Sequence, residues 1–471
     1  MNFNKYIFLI VVAFLGLFSC EDELDIVPIT EKASNSFYSN EQELESAIAG
    51  VYAQLQNGGL YELDLIGVGE ISGEDSFEEI AANDGGRFGQ LDDFSTNAGN
   101  DLVGDIWRES YRGIQRANTV LNRITDIEYA NASVKTNRIG EMKFIRALLY
   151  FNLVRLYGDV PLVIIETESP FDFFGQGRTP AAEVYTQIET DLNDAISDLP
   201  VDKTAGKPAR GAAQALLGDV LLTQGNFGGA LTNFEAVINS NEYSLAASTS
   251  EIFGEANEGN SEILFEVQFA SGFLVDGENE GSRAGSQFRP SGTTASAKGH
   301  NLPTQAFIDS FEAGDTRLND YVAVDPVANP FYFSTKYEIS PTGADDGGSD
   351  HLIIRYADVI LKYAEVLNEN NQTADAITQL NAVRARAGLV ATAATTQTEV
   401  RDAIRQERRF EFIGEGHRWF DLKRYGNAVA VMNAFFNSTG SNVTIDETKL
   451  VLPIPQSQLD TDSSIAQNPG Y

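Results

Sequence analysis

Residues 214–238 read QALLGDVLLTQGNFGGALTNFEAVI, and residues 362–389 read KYAEVLNENNQTADAITQLNAVRARAGL. Both stretches place small and apolar residues at the offsets of a tetratricopeptide repeat, a helical hairpin of ~34 residues. The matching positions are Leu217, Gly218, Leu221, Ala230, Phe234 and Val237, then Ala364, Leu367, Ala376, Leu380 and Val383. Any amphipathic hairpin shows part of this pattern, but two matches in one register favour the repeat. We expect Gly218 and Ala364 to be small because larger side chains would push the paired helices apart.

The segment between the two hairpins has a different composition. Residues 262–270, EILFEVQFA, alternate apolar and other residues, which predicts a half-buried strand. Residues 271–350 are rich in Gly, Ser, Asn and Pro, and loops of this length are either functional or disordered. Scattered aromatic residues in this segment argue against disorder.

Helical periodicity recurs outside the inserts. It is present in four further segments: 34–55, 105–124 (DIWRESYRGIQRANTVLNRI), 141–163 (EMKFIRALLYFNLVRLYGDVPLV) and 184–200 (VYTQIETDLNDAISDLP). Residues 56–104 are rich in glycine and carboxylates, which indicates loops and short strands. We therefore predict a mostly α protein with one domain over 34–471. Its helical-hairpin scaffold covers roughly 34–56, 105–240 and 350–471, and inserts at 57–104 and 241–349 form a second lobe.

The N-terminus carries a short leader. Lys5 precedes an apolar run of 11 residues, Ile7 to Leu17, which is too short to cross a bilayer and is typical of a secretory signal at 1–19. Leu17-Phe18-Ser19-Cys20 resembles a bacterial lipobox, in which cleavage leaves Cys20 as an acylated N-terminus. The alternative is a chance cysteine in a discarded leader. Cys20 is the only cysteine, so no internal disulfide is possible, and residues 20–33 are expected to form a lipidated tether.

Charge and length narrow the classes of partner. The chain has 33 basic and 68 acidic residues, a net charge of −35, which disfavours nucleic acid as a partner. No later segment reaches ~18 consecutive apolar residues, so we expect no membrane span after the leader.

The densest charge cluster is residues 407–424, ERRFEFIGEGHRWFDLKR. Glu407, Glu411 and Glu415 are spaced to share a helix face, and with His417 they are candidates for acid–base chemistry. The surrounding cations would hold these carboxylates ionised, so we favour a packed ion-pair network. The chain contains no Gly-x-Ser-x-Gly, His-Glu-x-x-His or phosphate-binding glycine motif, and we predict no catalytic residue.

No metal or cofactor is predicted. The three histidines, His300, His351 and His417, are dispersed and are expected to be structural or solvated. A group of carboxylates lacks the fixed spacing of a calcium loop and is interpreted as solvated surface: Glu70, Glu74, Asp75, Glu78, Glu79 and Asp84.

Together these pieces resemble the SusD/RagB family of outer-membrane lipoproteins of the Bacteroidetes. The resemblance rests on the lipobox, the helices at 107–121 and 141–163, IIRYADVILKYAEVLNE, LNAVRARAGL, ERRFEFIGEGHRWFDLKRYG and the terminal LPIPQSQLDTDSSIAQNPGY. It implies four tetratricopeptide-like hairpins and a SusC-like TonB-dependent transporter as partner. It also implies capture of oligosaccharide at the cell surface, with peptide capture, as in RagB-like members, as the alternative. A surface hydrolase is the remote third possibility.

The ligand site is expected in the inserts. Trp107 and Trp419 fall inside helical motifs, so neither is expected to be a sugar platform. Asp75, Phe77, Arg87 and Phe88 lie in a part of the chain similar to where family members place ligand contacts, and the second insert adds Arg289, Tyr332 and Lys336. We further hypothesise that a basic group in this insert complements an acidic oligosaccharide or a peptide carboxylate. Its members are Arg283, Arg289, Lys298, Arg317 and Lys336.

Overall fold

A computed structural model describes residues 38–169, 171–275, 278–325, 329–339, 343 and 345–471. The signal, Cys20 and the tether lie outside the described residues. Long helices dominate the described chain, and the predicted mostly α scaffold is confirmed. The helices are α1 (Glu41–Leu55), α2 (Asp64–Ile71), α3 (Gly89–Asp92), α4 (Asp101–Arg123), α5 (Ala132–Tyr157), α6 (Ala181–Asp198), α7 (Arg210–Thr223), α8 (Phe227–Ser240), α9 (Ala284–Gln287), α10 (Gln305–Ile308), α11 (Arg317–Asp320), α12 (Tyr356–Glu369), α13 (Thr373–Arg386), α14 (Gln397–Glu411), α15 (Arg418–Arg424), α16 (Ala428–Thr439) and α17 (Gln456–Thr461).

The scaffold consists of helix pairs that stack side by side. The pairs are α1 with α4, α5 with α6, α7 with α8, and α12 with α13. Contacts between α4 and α5, α6 and α7, and α8 and α12 join successive pairs. Gly218 lies where α7 meets α8, and a Cβ there would stand 2.6 Å from the Phe234 ring. Ala364 is fully buried in the α12–α13 pair. Both small residues therefore allow close helix contact, as predicted.

Local signals fix the helix ends. Asn100 caps α4 by accepting a hydrogen bond from the Leu102 amide at 2.9 Å. α5 ends at Gly158, whose φ of 73° suits the left-handed region that glycine adopts most readily. α14 begins with a capping box between Thr396 and Glu399. None of the helices in the described part of the chain is long and apolar enough to span a bilayer.

Short strands lie mostly in the inserts. They are β1 (Ser76–Phe77), β2 (Ile263–Val267), β3 (Leu274–Val275), β4 (Glu278–Asn279), β5 (Leu302–Pro303), β6 (Val322–Asp325), β7 (Asn329–Ser334) and β8 (His351–Arg355). They pair antiparallel as β1–β5, β2–β8, β3–β4 and β6–β7. The pair β2–β8 joins the second insert to the scaffold. The strand predicted at 262–270 is present, but all five residues of β2 are buried rather than half of them. Phe265 packs on Phe144 of α5, with ring centroids 5.0 Å apart, while the alternate residues Leu264 and Glu266 are also covered.

The first insert contains the predicted short strand β1, but it also contains helices α2 and α3, which were not predicted. Every residue of α2 is buried, so the segment lacks the one-sided polarity of a surface helix. Its glycines suggested a loop, but they permit close packing instead. A Cβ on Gly69 would lie 2.0 Å from the Gly416 carbonyl oxygen, beside α15. Glycine alone therefore did not distinguish a loop from a tightly packed helix.

Candidate functional site

The two inserts meet along a hydrogen-bonded seam. β1 pairs with β5, so that Phe77 lies opposite Leu302. Next to this pair, the Glu79 amide donates to the Gly299 carbonyl at 3.0 Å, and the Asn83 side chain donates to the Lys298 carbonyl at 2.8 Å. The backbone bonds hold the loop after β1 against the loop before β5. Side chains from distant parts of the chain thereby share one surface.

An aromatic platform lies on this surface, and we define it as Phe77, Arg289, Phe331 and Phe333. Phe77 and Phe331 meet edge to face with ring centroids 5.4 Å apart, and Phe331 is 41% exposed. The guanidinium carbon of Arg289 lies 4.4 Å from the centroid of the buried Phe333 ring. A flat apolar ring thus lies on the same surface as a planar donor group.

Arg289 retains hydrogen-bonding capacity. Its Nε donates to the Gly285 carbonyl at 3.2 Å, and within the described residues its guanidinium forms no ion pair. Burial lowers the pKa of Arg289, but the group remains a cation at neutral pH. Its Nη donors are therefore available to hydroxyl or carboxylate oxygens.

Tyr332 points away from the platform. Successive residues of a strand face opposite sides, so Tyr332 lies on the other side of β7 from Phe331 and Phe333. There it packs, partly buried, against the cluster that contains Phe307 and Tyr321.

Asp75 is held by cations of the scaffold. It is 1% exposed, and Arg409 Nε donates to its Oδ1 at 2.7 Å while Arg418 Nε lies 3.4 Å from its Oδ2. Burial, with the neighbouring Glu74, raises the pKa of Asp75. The residue thus joins the first insert to α14 and α15 and does not reach the platform surface.

Arg87 and Phe88 are likewise occupied within the fold. Arg87 bridges Asp64 and Asp105, with Nη1 2.7 Å from the Asp105 carboxylate. Burial raises the pKa of Asp64 to about 7, although Arg87 opposes this effect. Phe88 is 1% exposed, packs on Gly67 and lies 4.4 Å from the His300 ring between centroids. Phe77 is thus the first-insert candidate that lies on the platform.

Lys336 belongs to a buried charge cluster rather than to the platform. Its Nζ lies 2.5 Å from Glu415 and 2.9 Å from the Glu411 carbonyl oxygen. Burial lowers the pKa of Lys336 to about 8. Of the seven insert candidates, the structure brings Phe77 and Arg289 together on one surface. Phe331 and Phe333, which complete the platform, were not predicted as ligand contacts.

The cluster around Glu411 is an ion-pair network, as the sequence indicated. Glu411 accepts from Arg317 at 3.1 Å and from Arg355 at 2.7 Å, and it also pairs with Arg386. Burial favours its neutral form, but the three guanidinium groups outweigh this and hold the pKa of Glu411 well below its usual range. Such a carboxylate is a poor proton donor. Glu415 lies beyond the end of α14, so the predicted helix face comprises only Glu407 and Glu411.

The hypothesis of a basic patch in the second insert is wrong. Arg283 pairs with Glu62 at 2.6 Å, Lys298 with Asp84 at 2.5 Å and Arg317 with Asp315 at 2.7 Å. Arg317 and Lys336 are buried, and Arg283 and Lys298, although partly exposed, are each paired with a carboxylate. Arg289 is the exception, because within the described residues it forms no ion pair.

The prediction of a solvated acidic surface at 70–84 is wrong for Glu70, Asp75 and Glu78, whereas Asp84 is exposed and Glu74 and Glu79 are partly buried. Glu70 is 1% exposed and accepts from the amides of Gly416 and His417, at 2.8 and 3.1 Å. Glu78 is buried and lies 2.7 Å from His300 Nδ1. Among the described residues, no group of His, Cys, Asp and Glu is arranged to hold a metal ion.

Two family profiles match this chain. One, described as "Starch-binding associating with outer membrane", matches residues 24–222, and that of the SusD family matches residues 327–471. SusD-like protein P25 of Formosa agariphila is 26% identical to this chain, over 100% of this chain and 99% of that protein. The matches therefore include both halves of the scaffold.

Solved structures agree with the fold. A laminarin-binding SusD-like protein is 29% identical, with a TM-score of 0.81 over 92% of this chain and 100% of the other. A SusD homologue from Bacteroides thetaiotaomicron has a TM-score of 0.83 at 22% identity, over 93% and 99% of the two chains. At that identity, the second likeness concerns the fold alone.

Proposed function

We propose, because this chain belongs to the SusD-like family of proteins associated with the outer membrane, that it is a glycan-binding lipoprotein of the cell surface. It captures an oligosaccharide at the aromatic platform and passes it to a SusC-like TonB-dependent transporter. Acylation of Cys20 anchors the chain in the outer membrane. Anchoring both proteins in one membrane raises their effective concentration, so even a weak contact between them is productive.

The platform is the observation that carries this proposal. Sugar rings present flat C–H faces that pack on aromatic rings, and their hydroxyls accept hydrogen bonds from planar donors. Phe331 supplies an exposed ring and Arg289 supplies free donors on the same surface. The similarity to a laminarin-binding protein supports a β-glucan as the first ligand to test.

Peptide capture is the second candidate. Arg289 is the observation that favours it, because an unpaired guanidinium also suits a peptide carboxylate. Hydrolysis receives no comparable support. Against the opposing effect of burial, arginines hold the pKa of Glu411 and of Asp421 well below the usual range. Glu407, whose pKa burial raises, is paired with Arg317 and Arg384.

Calorimetry on the full chain in mild detergent tests the proposal. Laminari-oligosaccharides, α-linked gluco-oligosaccharides and a peptide mixture are titrated separately. We expect saturable binding to one class of oligosaccharide and none to the peptides. Chromatography of the recovered sugar is expected to show unchanged chain length. Binding to peptides alone, or shortened oligosaccharides, would contradict the proposal.

A further inference from the structure

A second cleft lies on the scaffold, away from the aromatic platform. It has a volume of about 660 Å³ and is bounded by α4, the segment 161–167, the turn 171–174 and α17. Volumes of this size are typical of sites for small organic ligands. Aromatic and basic side chains of α4 form one side of the cleft.

The walls of this cleft are fixed by hydrogen bonds. Tyr111 donates to the Pro161 carbonyl at 2.7 Å. Gln115 both donates to and accepts from the backbone of Thr167, at 3.0 and 3.1 Å. On the opposite side, the Gly175 amide donates to Asp462 at 2.8 Å, so the 171–174 turn is tied to the segment after α17. A ligand would meet a largely preformed surface.

Three arginines line this cleft in a strongly acidic protein. Arg108, Arg112 and Arg116 are spaced four residues apart, which places them along one face of α4 over about 12 Å. Asp462 is the carboxylate of the lining, and its oxygens already accept from Gly175 and Ser464. The lining itself thus carries three cations and one carboxylate, and Arg108 and Arg112 also pair with Asp105 and Glu109 of α4.

Two of these guanidinium groups keep free donors. Arg112 is 58% exposed and uses Nη1 to bond both oxygens of Glu109, at 2.9 and 3.1 Å. Arg116 uses Nη1 to bond the Gly50 carbonyl at 2.6 Å. Within the described residues, Nε and Nη2 of both arginines have no hydrogen-bond partner. Nε and Nη2 form the fork that binds carboxylate or sulfate oxygens in pairs.

The same cleft offers apolar ring surface. Phe174 is 58% exposed on the turn, with Phe173 beside it, and Tyr111 lies on the α4 side. Arginine forks next to aromatic faces suit a ligand that has both anionic groups and flat C–H faces. Arg112 and Arg116 lie about one helical turn apart, so anionic groups on neighbouring units of an oligomer can reach both.

We propose that this cleft is a binding site for anionic oligosaccharides, whose carboxylate or sulfate groups pair with Arg112 and Arg116 while a sugar ring packs on Phe174. The inference rests on the proposed function, because it takes the ligand to be a glycan. It adds a second site, whose ligand is anionic rather than neutral. A neutral glycan would use the platform, and an acidic one would use this cleft.

Calorimetry with the full chain in detergent tests the inference. Oligogalacturonides, sulfated laminari-oligosaccharides and neutral laminari-oligosaccharides of equal length are the probes. We expect the anionic probes to bind the cleft with an affinity that falls as salt rises. The stronger of the two anionic probes identifies carboxylate or sulfate as the preferred group.

The double variant Arg112→Gln, Arg116→Gln is expected to bind the anionic probe about 100-fold more weakly, since each lost charged hydrogen bond costs about tenfold. Arg401→Gln is the matched control, because Arg401 is also an ion-paired helix arginine but lies on α14. Arg112→Lys, which keeps the charge but loses the fork, is expected to show a partial loss. Melting curves of all variants verify folding.

Unchanged anionic binding in the double variant would overturn the inference, as would equal binding of an acidic peptide. Neutral oligosaccharide binding is measured on the same variants. If Phe331→Ala loses neutral binding and the arginine variants retain it, the two sites are separate. If the wild type does not bind neutral oligosaccharides, the proposed function is contradicted. If it does not bind the anionic probes, the inference about the cleft is contradicted.

Discussion

Replacing Glu411 with glutamine is expected to lower the free energy of unfolding by about 3–5 kcal/mol. The change keeps the size of the side chain but removes its charge. In the folded protein, Glu411 is fully buried and pairs with Arg317, Arg355 and Arg386, whose side chains are at most 3% exposed. Without the carboxylate, three buried cations lose an anion.

The size of the expected loss of stability depends on the ion pairs that remain in the variant. Three charged hydrogen bonds at about 1.5–3 kcal/mol each would sum to about 4.5–9 kcal/mol if nothing compensated. Arg355 and Arg386 still pair with Glu262, at 2.8 and 2.6 Å, and Arg317 keeps Asp315 at 2.7 Å. These remaining carboxylates offset part of the loss, which places the expected cost at the value for breaking one buried pair.

Equilibrium urea unfolding followed by circular dichroism measures the effect. Glu369→Gln is the matched control, because among the described residues Glu369 pairs with Arg401 alone, near the surface, and this substitution is expected to cost less than about 1 kcal/mol. If Glu411→Gln also lies within about 1 kcal/mol of the wild type, the network does not stabilise the scaffold in the way described.

Three further outcomes are expected. Gly218→Val should lower the free energy of unfolding by about 1–3 kcal/mol in urea, because the new Cβ would meet the Phe234 ring. Gly228→Val in the same hairpin has open space around its Cβ, so equal effects of the two substitutions would contradict the packing argument. Burial lowers the pKa of His351 from 6.5 to about 4, so the unfolded state binds the proton first and stability is lost as pH falls through this window. Between pH 7 and pH 4 the free energy of unfolding of the wild type should therefore fall by about 3 kcal/mol more than that of His351→Asn. Parallel curves of stability against pH for the two proteins would contradict this prediction. Cys20→Ser should move the protein from the membrane to the soluble fraction, and retention in the membrane would contradict the anchor.

The helical scaffold was predictable because its signals are local. Gly218 and Ala364 mark helix contacts within hairpins of short sequence separation, so the pattern and the packing coincide. The capping residues and the stop at Gly158 are local in the same way.

Burial of charge was not predictable, because it depends on partners far along the chain. Asp75 and Arg409 are 334 residues apart in sequence and bond at 2.7 Å. A carboxylate beside glycines in the sequence has the same appearance whether it is solvated or paired with a distant arginine. The prediction of a solvated surface failed at Asp75 for this reason, and at Glu70 and Glu78 because other distant residues, Gly416 and His300, are their partners.

The platform was found only in part. Phe77 and Arg289 were chosen from their position in the inserts, but their partners Phe331 and Phe333 were not. The alternation of 331–333 in β7 was the available signal, since it places Phe331 and Phe333 on one face and Tyr332 on the other. The register that brings β1 and β7 together is not encoded in either segment alone.

The affinity of Phe331→Ala for the best neutral oligosaccharide tests the central claim most directly. Phe331 is 41% exposed, so a sugar that covers it buries about 80 Å² of ring, worth about 2 kcal/mol. We predict that this variant binds roughly 30-fold more weakly, while Phe171→Ala, which removes an exposed ring on the scaffold, binds as the wild type does. Equal affinity of Phe331→Ala and the wild type would contradict recognition at the platform.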